Sequence, residues 1–135
     1  MEYAHVRERR GFWWVLLAAI ICIGVLSRVT HTGFRVVDKY LGDALYAAMV
    51  YILFRLTGRI KKVALWAAAA MTAIEFFQLT GIPAGMLLSG NLAVRVCARL
   101  LGTEFSVLDL LAYAVGIGCI SLADGARSKM APEMR

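Results

Sequence analysis

Residues 63–80 of the chain read VALWAAAAMTAIEFFQLT, an apolar stretch that is interrupted only in its second half, by Glu75 and Gln78. At 1.5 Å per residue, a helix of this length covers about 27 Å, close to the ~30 Å hydrocarbon core of a bilayer. The stretch therefore predicts a membrane-spanning helix. Its carboxylate needs a polar partner, because ionisable groups inside a span are costly and mark functional positions.

Three further apolar runs predict spans over residues 12–28, 41–57 and 105–123. A weaker run over 86–102 carries two arginines, so it predicts a helix that lies on the membrane or dips into it. Asn91 can cap the start of that helix and Gly102 can end it. The sequence thus predicts an all-α fold over residues 1–135: an integral membrane bundle of four transmembrane helices, with a short interfacial or re-entrant helix between the third and fourth.

The composition agrees with a membrane location. Apolar residues make up 61% of the chain and charged residues 18%, against about 45–50% and 25% in soluble domains. The net charge of +6 does not indicate nucleic acid, because the basic residues form short clusters between apolar runs. His5 and His31 lack partners at metal-ligand spacing, and no phosphate-binding loop appears, so neither a metal nor a cofactor is predicted.

The distribution of basic residues predicts which way the spans point. Of the 15 Lys and Arg residues, ten precede the first span, separate the second from the third, or lie in the tail after residue 123. The other five lie in the remaining two connectors. Because cytoplasmic loops are enriched in Lys and Arg, both termini are predicted to be cytoplasmic, with the polar tail from Asp124 to Arg135 lying outside the last span.

The polar residues of the spans are predicted to form one pocket. With this topology, Asp43, Glu75 and Asp109 all fall in the outer half of the membrane. Gln78 shares a helical face with Glu75, and Tyr113 shares one with Asp109. The outer connectors supply cations that can neutralise these carboxylates and bind an anionic ligand: Arg28, Lys39, Arg95 and Arg99.

The same residues carry a resemblance to a known family. The motifs Lys39-Tyr-Leu-Gly-Asp43-Ala, Glu75-Phe-Phe-Gln78-Leu and Asp109-Leu-Leu-Ala-Tyr113 resemble the small bacterial membrane proteins of the domain of unknown function 2809, over about residues 24–124. More remotely, the order of the motifs is similar to that of VanZ-like proteins, although Tyr113 stands where that family has Asn. The resemblance implies a multi-pass protein of the bacterial cytoplasmic (inner) membrane and no particular reaction. It also implies a set of ligand-binding residues: Arg28, Lys39, Asp43, Glu75, Gln78, Arg95, Asp109 and Tyr113.

Three functions are compatible with these residues. The first is binding of an anionic membrane lipid, or of a lipid-linked cell-envelope intermediate, in the outer pocket. The second is an enzyme acting on a lipid-linked envelope precursor, with Glu75 or Asp109 as general base. The third is a structural subunit whose charges only determine which helices pair. In that case the small-residue pairs Ala112/Gly116 and Ala114/Gly118 would serve a homo-oligomer or a larger complex.

Overall fold

The computed structural model describes residues 2–30 and 33–130, apart from the side chains of residues 2–9, 28, 35 and 36. All regular secondary structure in these residues is helical, which confirms the predicted all-α class. The six helices are α1 (Glu2–Val29), α2 (Arg35–Thr57), α3 (Val63–Gln78), α4 (Ile82–Met86), α5 (Leu92–Leu101) and α6 (Val107–Met130).

The four long helices run between two ends of the molecule. We call the two ends proximal and distal. The proximal end holds the start of α1, the end of α2, the start of α3 and the end of α6. The distal end holds the end of α3, the short helices α4 and α5, and the start of α6. Helices α2 and α6 are parallel neighbours, because Lys39 pairs with Asp109 near their starts and Tyr51 binds Asp124 near their ends. Successive helices from α1 to α3 alternate in direction.

Gly116 lets α2 and α6 come into backbone contact. A Cβ added to this residue would overlap the carbonyl group of Ala44. Ala112, one turn earlier on the same face, is also buried. The small-residue pair that the sequence places in α6 therefore acts within the chain, as a contact between α2 and α6.

The core lies between α2, α3 and α6. Ala47, Ile52, Ala67 and Met71 are fully buried there. Helix α1 joins this core along one stripe, Trp13, Leu17 and Ile20, with Leu16 partly buried beside it, and most of the other apolar side chains over residues 11–29 are exposed. Exposed apolar surface of this extent suits a lipid environment better than water.

Within the described residues, two helices are long and apolar enough to cross a membrane. They are α1, over Arg10–Ser27, and α6, over Val107–Met130. Helix α3 is apolar but has 16 residues, which is about 24 Å of helix. Helix α2 has 23 residues but carries charges, including Asp38, Lys39, Asp43 and Arg55. These two candidate spans support a membrane protein, and the four-span arrangement stays a proposal.

Helix boundaries differ from the predicted spans in three places. Helix α1 begins at Glu2 and not near residue 12. Helix α2 begins at Arg35 and not near residue 41, and Asp38 in its first turn suits the positive end of the helix dipole. Helix α6 continues to Met130, so the part of the predicted polar tail from Asp124 to Met130 is helical. The helix can continue because the Asp124 carboxylate accepts hydrogen bonds from Tyr51 Oη at 2.7 Å and Arg55 Nε at 2.8 Å.

The predicted segment 86–102 contains the last residue of α4, a turn and one short helix, α5. Helix α4 ends at Met86, and α5 begins after Asn91, whose side-chain oxygen accepts a hydrogen bond from Ala93 N at 2.9 Å. Gly102, with φ of 79°, follows the end of α5. Both predicted caps of α5 are thus confirmed.

Candidate ligand site at the distal end

Glu75 is a fully buried carboxylate whose two oxygens accept three hydrogen bonds. Tyr113 Oη donates to Oε1 at 2.6 Å and Gln78 Nε2 donates to the same oxygen at 3.3 Å. The backbone N–H of Ser106 donates to Oε2 at 3.3 Å. A carboxylate removed from water is tolerated when such donors replace its hydration.

Glu75 and Gln78 together hold both ends of the connector between α5 and α6. Gln78 Nε2 also donates to the carbonyl of Leu101, at 2.8 Å, while Glu75 holds Ser106 N. We call Glu75 and Gln78 the connector clamp. The carbonyl contact fixes which way the amide of Gln78 points, and Gln78 Oε1 is buried without a hydrogen-bond partner among the described residues.

Gly102 is required for this arrangement on two counts. Its φ of 79° lies in a region that L side chains rarely adopt, and a Cβ there would lie 2.8 Å from Gln78 Nε2. Beside it, Phe105 of the connector stacks on Phe76 of α3 with ring centroids 6.2 Å apart. The last turn of α3 therefore fixes the path of the chain from α5 into α6.

Asp109 forms an ion pair with Lys39 between the first turns of α6 and α2. Lys39 Nζ lies 3.0 Å from Asp109 Oδ1; the carboxylate side chain is 7% exposed and the lysine side chain 51%. Partial burial lowers the pKa of Lys39, but its hydrogen bond to Asp109 and the charges of Asp109 and Asp43 outweigh this effect and raise the pKa above its ordinary value. Lys39, which precedes the predicted span 41–57, is therefore a cation at neutral pH.

The structure brings the three predicted carboxylates together. Asp43 lies one helical turn after Lys39, which pairs with Asp109, and Glu75 accepts a hydrogen bond from Tyr113, one helical turn after Asp109. These residues come from α2, α3 and α6, so the cluster depends on the folded arrangement of all three helices. Lys39, Asp43, Glu75, Gln78, Asp109 and Tyr113 thus share the distal end.

Arg95 and Arg99 were expected to pair with these carboxylates, and in the described part of the structure they do not. Arg95 Nη1 donates to the carbonyl of Ser89, at 3.2 Å, just before its own helix. Among the described side chains, neither Arg95 nor Arg99 forms an ion pair with a carboxylate. Both arginines lie on α5, which packs against α4, and this position accounts for the missing ion pairs. Arg28 lies near the end of α1, and its side chain is outside the described part of the chain.

Helix α5 presents different faces to the protein and to its surroundings. Leu92, Val96 and Leu100 form an exposed apolar stripe, while Ala98 is buried. Arg95 and Arg99 lie next to each other between these two faces. A short helix with an apolar stripe beside arginines is typical of a membrane interface.

Two features of the polar network were not anticipated from the sequence. Leu101 and Ser106 contribute backbone groups, and only Gly102 at the end of α5 indicated a constrained chain there. At the proximal end, Tyr51 and Arg55 bind Asp124, a residue that the sequence assigned to the tail. Within residues 2–30 and 33–130, no three His, Cys, Asp or Glu side chains are grouped so that they could hold a metal ion.

These features define a small all-helical protein with two membrane-capable helices and a buried acidic cluster at one end. The chain belongs to the family described as "Protein of unknown function (DUF2809)", whose family model matches residues 31–117. That range contains every predicted site residue except Arg28. The predicted resemblance to this family is therefore confirmed, whereas the VanZ-like resemblance stays a prediction.

Two curated mycobacterial proteins are similar to the chain. They are Uncharacterized protein Mb0105 of Mycobacterium bovis and Uncharacterized protein MT0111 of Mycobacterium tuberculosis, each 31% identical over 114 residues. The match covers 84% of this chain and 16% of each relative, so the chain spans about one sixth of the length of these relatives. No solved structure matches the chain.

Proposed function

We propose that the protein crosses the bacterial inner membrane four times, with both termini cytoplasmic, and binds an anionic lipid headgroup in the outer leaflet at its distal end. The lipid can be a membrane phospholipid or a lipid-linked cell-envelope intermediate. In this arrangement, α1, α2, α3 and α6 are the four spans. Helices α4 and α5 lie at the outer interface.

The sidedness rests on the distribution of charge between the two ends. Among the described side chains, the only carboxylate at the proximal end is Asp124, and it is paired with Arg55. The distal end holds the remaining described carboxylates. Because cations are enriched on the cytoplasmic side, the proximal end is assigned to the cytoplasm. Its basic residues are Arg10, Arg55, Arg59, Lys61, Lys62, Arg127 and Lys129.

The single observation that carries the lipid proposal is the surface of α5. Its exposed apolar stripe suits acyl chains, and Arg95 and Arg99 beside the stripe can reach headgroup phosphates. Lys39 adds a half-exposed cation at the same end of the bundle. The buried carboxylates then have a supporting role, in which they hold the helices together and orient Lys39.

Lipid co-purification tests this proposal. Native mass spectrometry of the detergent-purified protein should show retained anionic lipid. Arg95→Gln and Arg99→Gln should each lower the apparent affinity for this lipid about fivefold, because one basic residue near an anionic surface contributes about 1 kcal/mol. Arg99 is exposed and unpaired among the described residues, so its substitution should leave folding intact. Arg59→Gln, at the opposite end, is the matched control. Unchanged lipid retention in both α5 variants contradicts the proposal.

A second candidate is a structural subunit of a membrane complex. The match covers 16% of each mycobacterial relative, which favours a module that works beside other protein segments or subunits. Native mass spectrometry in mild detergent should then show a homo-oligomer or a complex with a second protein. The enzymatic alternative has less support, because Glu75 is 0% exposed and every contact described above for its carboxylate comes from a donor within the protein.

A further inference from the structure

The proximal end carries arginines arranged on aromatic rings. Phe12 and Trp13 meet edge to face, with ring centroids 5.4 Å apart. The Arg127 guanidinium lies 3.7 Å from the centroid of Phe12, and the Arg55 guanidinium lies 5.7 Å from that of Trp13. Arg10 approaches the same region, since its Nη2 would lie 3.5 Å from a Cβ on Gly58. We call these five side chains the arginine–aromatic array.

The array has more positive charge than its acidic neighbour can neutralise. Arg55 Nε donates to Asp124 Oδ2, the oxygen that also accepts from Tyr51. Arg10 and Arg127 form no ion pair with any described carboxylate. The rings orient guanidinium groups through cation–π contacts, which lowers the entropic cost of binding an anion.

We propose that the arginine–aromatic array binds the phosphate of an anionic phospholipid in the leaflet around the proximal end. Planar guanidinium groups match phosphate oxygens in a bidentate geometry that an ammonium group cannot provide. Trp14 and Trp66 lie near this end and are more than half exposed, as expected of side chains at the depth of lipid headgroups. The site rests on the proposed membrane location but is separate from the distal site.

Tryptophan fluorescence gives a test that is local to this end. The chain has three tryptophans, Trp13, Trp14 and Trp66, and all lie towards the proximal end. The full chain is reconstituted in vesicles of phosphatidylcholine mixed with either brominated phosphatidylglycerol or brominated phosphatidylcholine, since bromine quenches nearby tryptophans. We expect stronger quenching by brominated phosphatidylglycerol, and Arg127→Gln or Arg10→Gln should lower the relative affinity for it about fivefold.

Lys129→Gln is the matched control, because it removes the same charge from the same last turn of α6 but has no ring contact. We expect it to change the affinity much less. Equal quenching by the two brominated lipids would overturn the proposal, because it would show that no anionic-lipid site exists at this end. An equal loss of affinity in Lys129→Gln and Arg127→Gln would also overturn it, because it would show unspecific electrostatic attraction. Binding of inorganic phosphate without any preference for brominated phosphatidylglycerol would also overturn it, since the ligand would then be free phosphate. Arg99→Gln should leave the quenching unchanged, so the distal and proximal sites fail independently.

Discussion

Glu75 illustrates what a single residue requires inside this bundle. A buried carboxylate costs several kcal/mol unless hydrogen bonds replace its hydration. Here the replacement comes from two side chains and one backbone N–H, contributed by α3, α6 and the connector before α6. The residue therefore joins three parts of the chain through one functional group.

Tyr113 supplies the shortest of these bonds, and its removal gives the first prediction. Tyr113→Phe should destabilise the protein by about 1–3 kcal/mol, because the Glu75 carboxylate loses a donor that water cannot replace in a buried position. Thermal unfolding in detergent, followed by circular dichroism, measures this change. Tyr46→Phe is the control, since Tyr46 is half-buried and its hydroxyl forms no hydrogen bond in the described structure. Equal stabilities of the two variants would contradict the prediction.

For single residues, the sequence predicted contacts between side chains better than contacts between a side chain and the backbone. The three-residue spacing of Glu75 and Gln78 indicated a shared face, and their hydrogen bond confirms it. The contributions of Leu101 and Ser106 depend on the path of a non-helical connector, which helical periodicity does not describe. The sequence did not indicate that Arg95 bonds to the carbonyl of Ser89 instead of a carboxylate, because its position on α5 gave no information about how α5 packs on the bundle.

Among the helices, the pair α2 and α6 depends on one glycine. Gly116→Ala should destabilise the protein by about 1–3 kcal/mol, because the added methyl group must push against the backbone of Ala44. Gly118→Ala, in open space on the same helix, should be neutral or stabilising, since alanine favours a helix by about 1 kcal/mol over glycine. Unfolding midpoints of both variants in detergent provide the comparison, and similar midpoints would refute the close contact.

The connector clamp predicts how α5 is held. Gln78→Leu removes the donor to Leu101 and keeps an apolar side chain of similar size. Amide hydrogen exchange should therefore become faster in a peptide that covers residues 99–107, because local opening costs less free energy. A peptide from residues 63–74 in the same helix as Gln78 serves as the internal control. Unchanged exchange over 99–107 would show that the clamp does not restrain the connector.

The long helices were predictable from the apolar runs, whereas several of their ends were not. The ends depend on contacts with other helices, as Asp124 shows: a charged residue ended the predicted span, but its bonds to Tyr51 and Arg55 let α6 continue. The caps of α5 were predictable because Asn91 and Gly102 act within a few residues of their own backbone. Capping of α5 by residues close to it in the chain was therefore visible in the sequence, and the pairing of Asp124 with Tyr51 and Arg55 was not.

For the molecule as a whole, the contrast between a basic proximal end and a mixed-charge distal end predicts a fixed orientation. In single-cysteine variants, Cys97 on α5 should react with a membrane-impermeant maleimide added outside intact spheroplasts, since it is exposed at the distal end. Lys61→Cys, in the connector between α2 and α3, should react only after the membrane is permeabilised. The reverse pattern would invert the topology, and equal labelling at both positions would exclude a four-span arrangement.

The parallel packing of α2 and α6 has a consequence for biosynthesis. Bonds between them join residues 69 and 73 positions apart in the chain, so α2 leaves the ribosome long before its main partner exists. Until α6 arrives, Lys39 lacks Asp109 and Glu75 lacks Tyr113. Because helices can insert before they associate, the early segments must wait in the translocon or among lipids with these polar groups unmatched. A nascent chain arrested before Ser106 should accordingly be sensitive to membrane quality-control proteases, and release from arrest should restore its resistance.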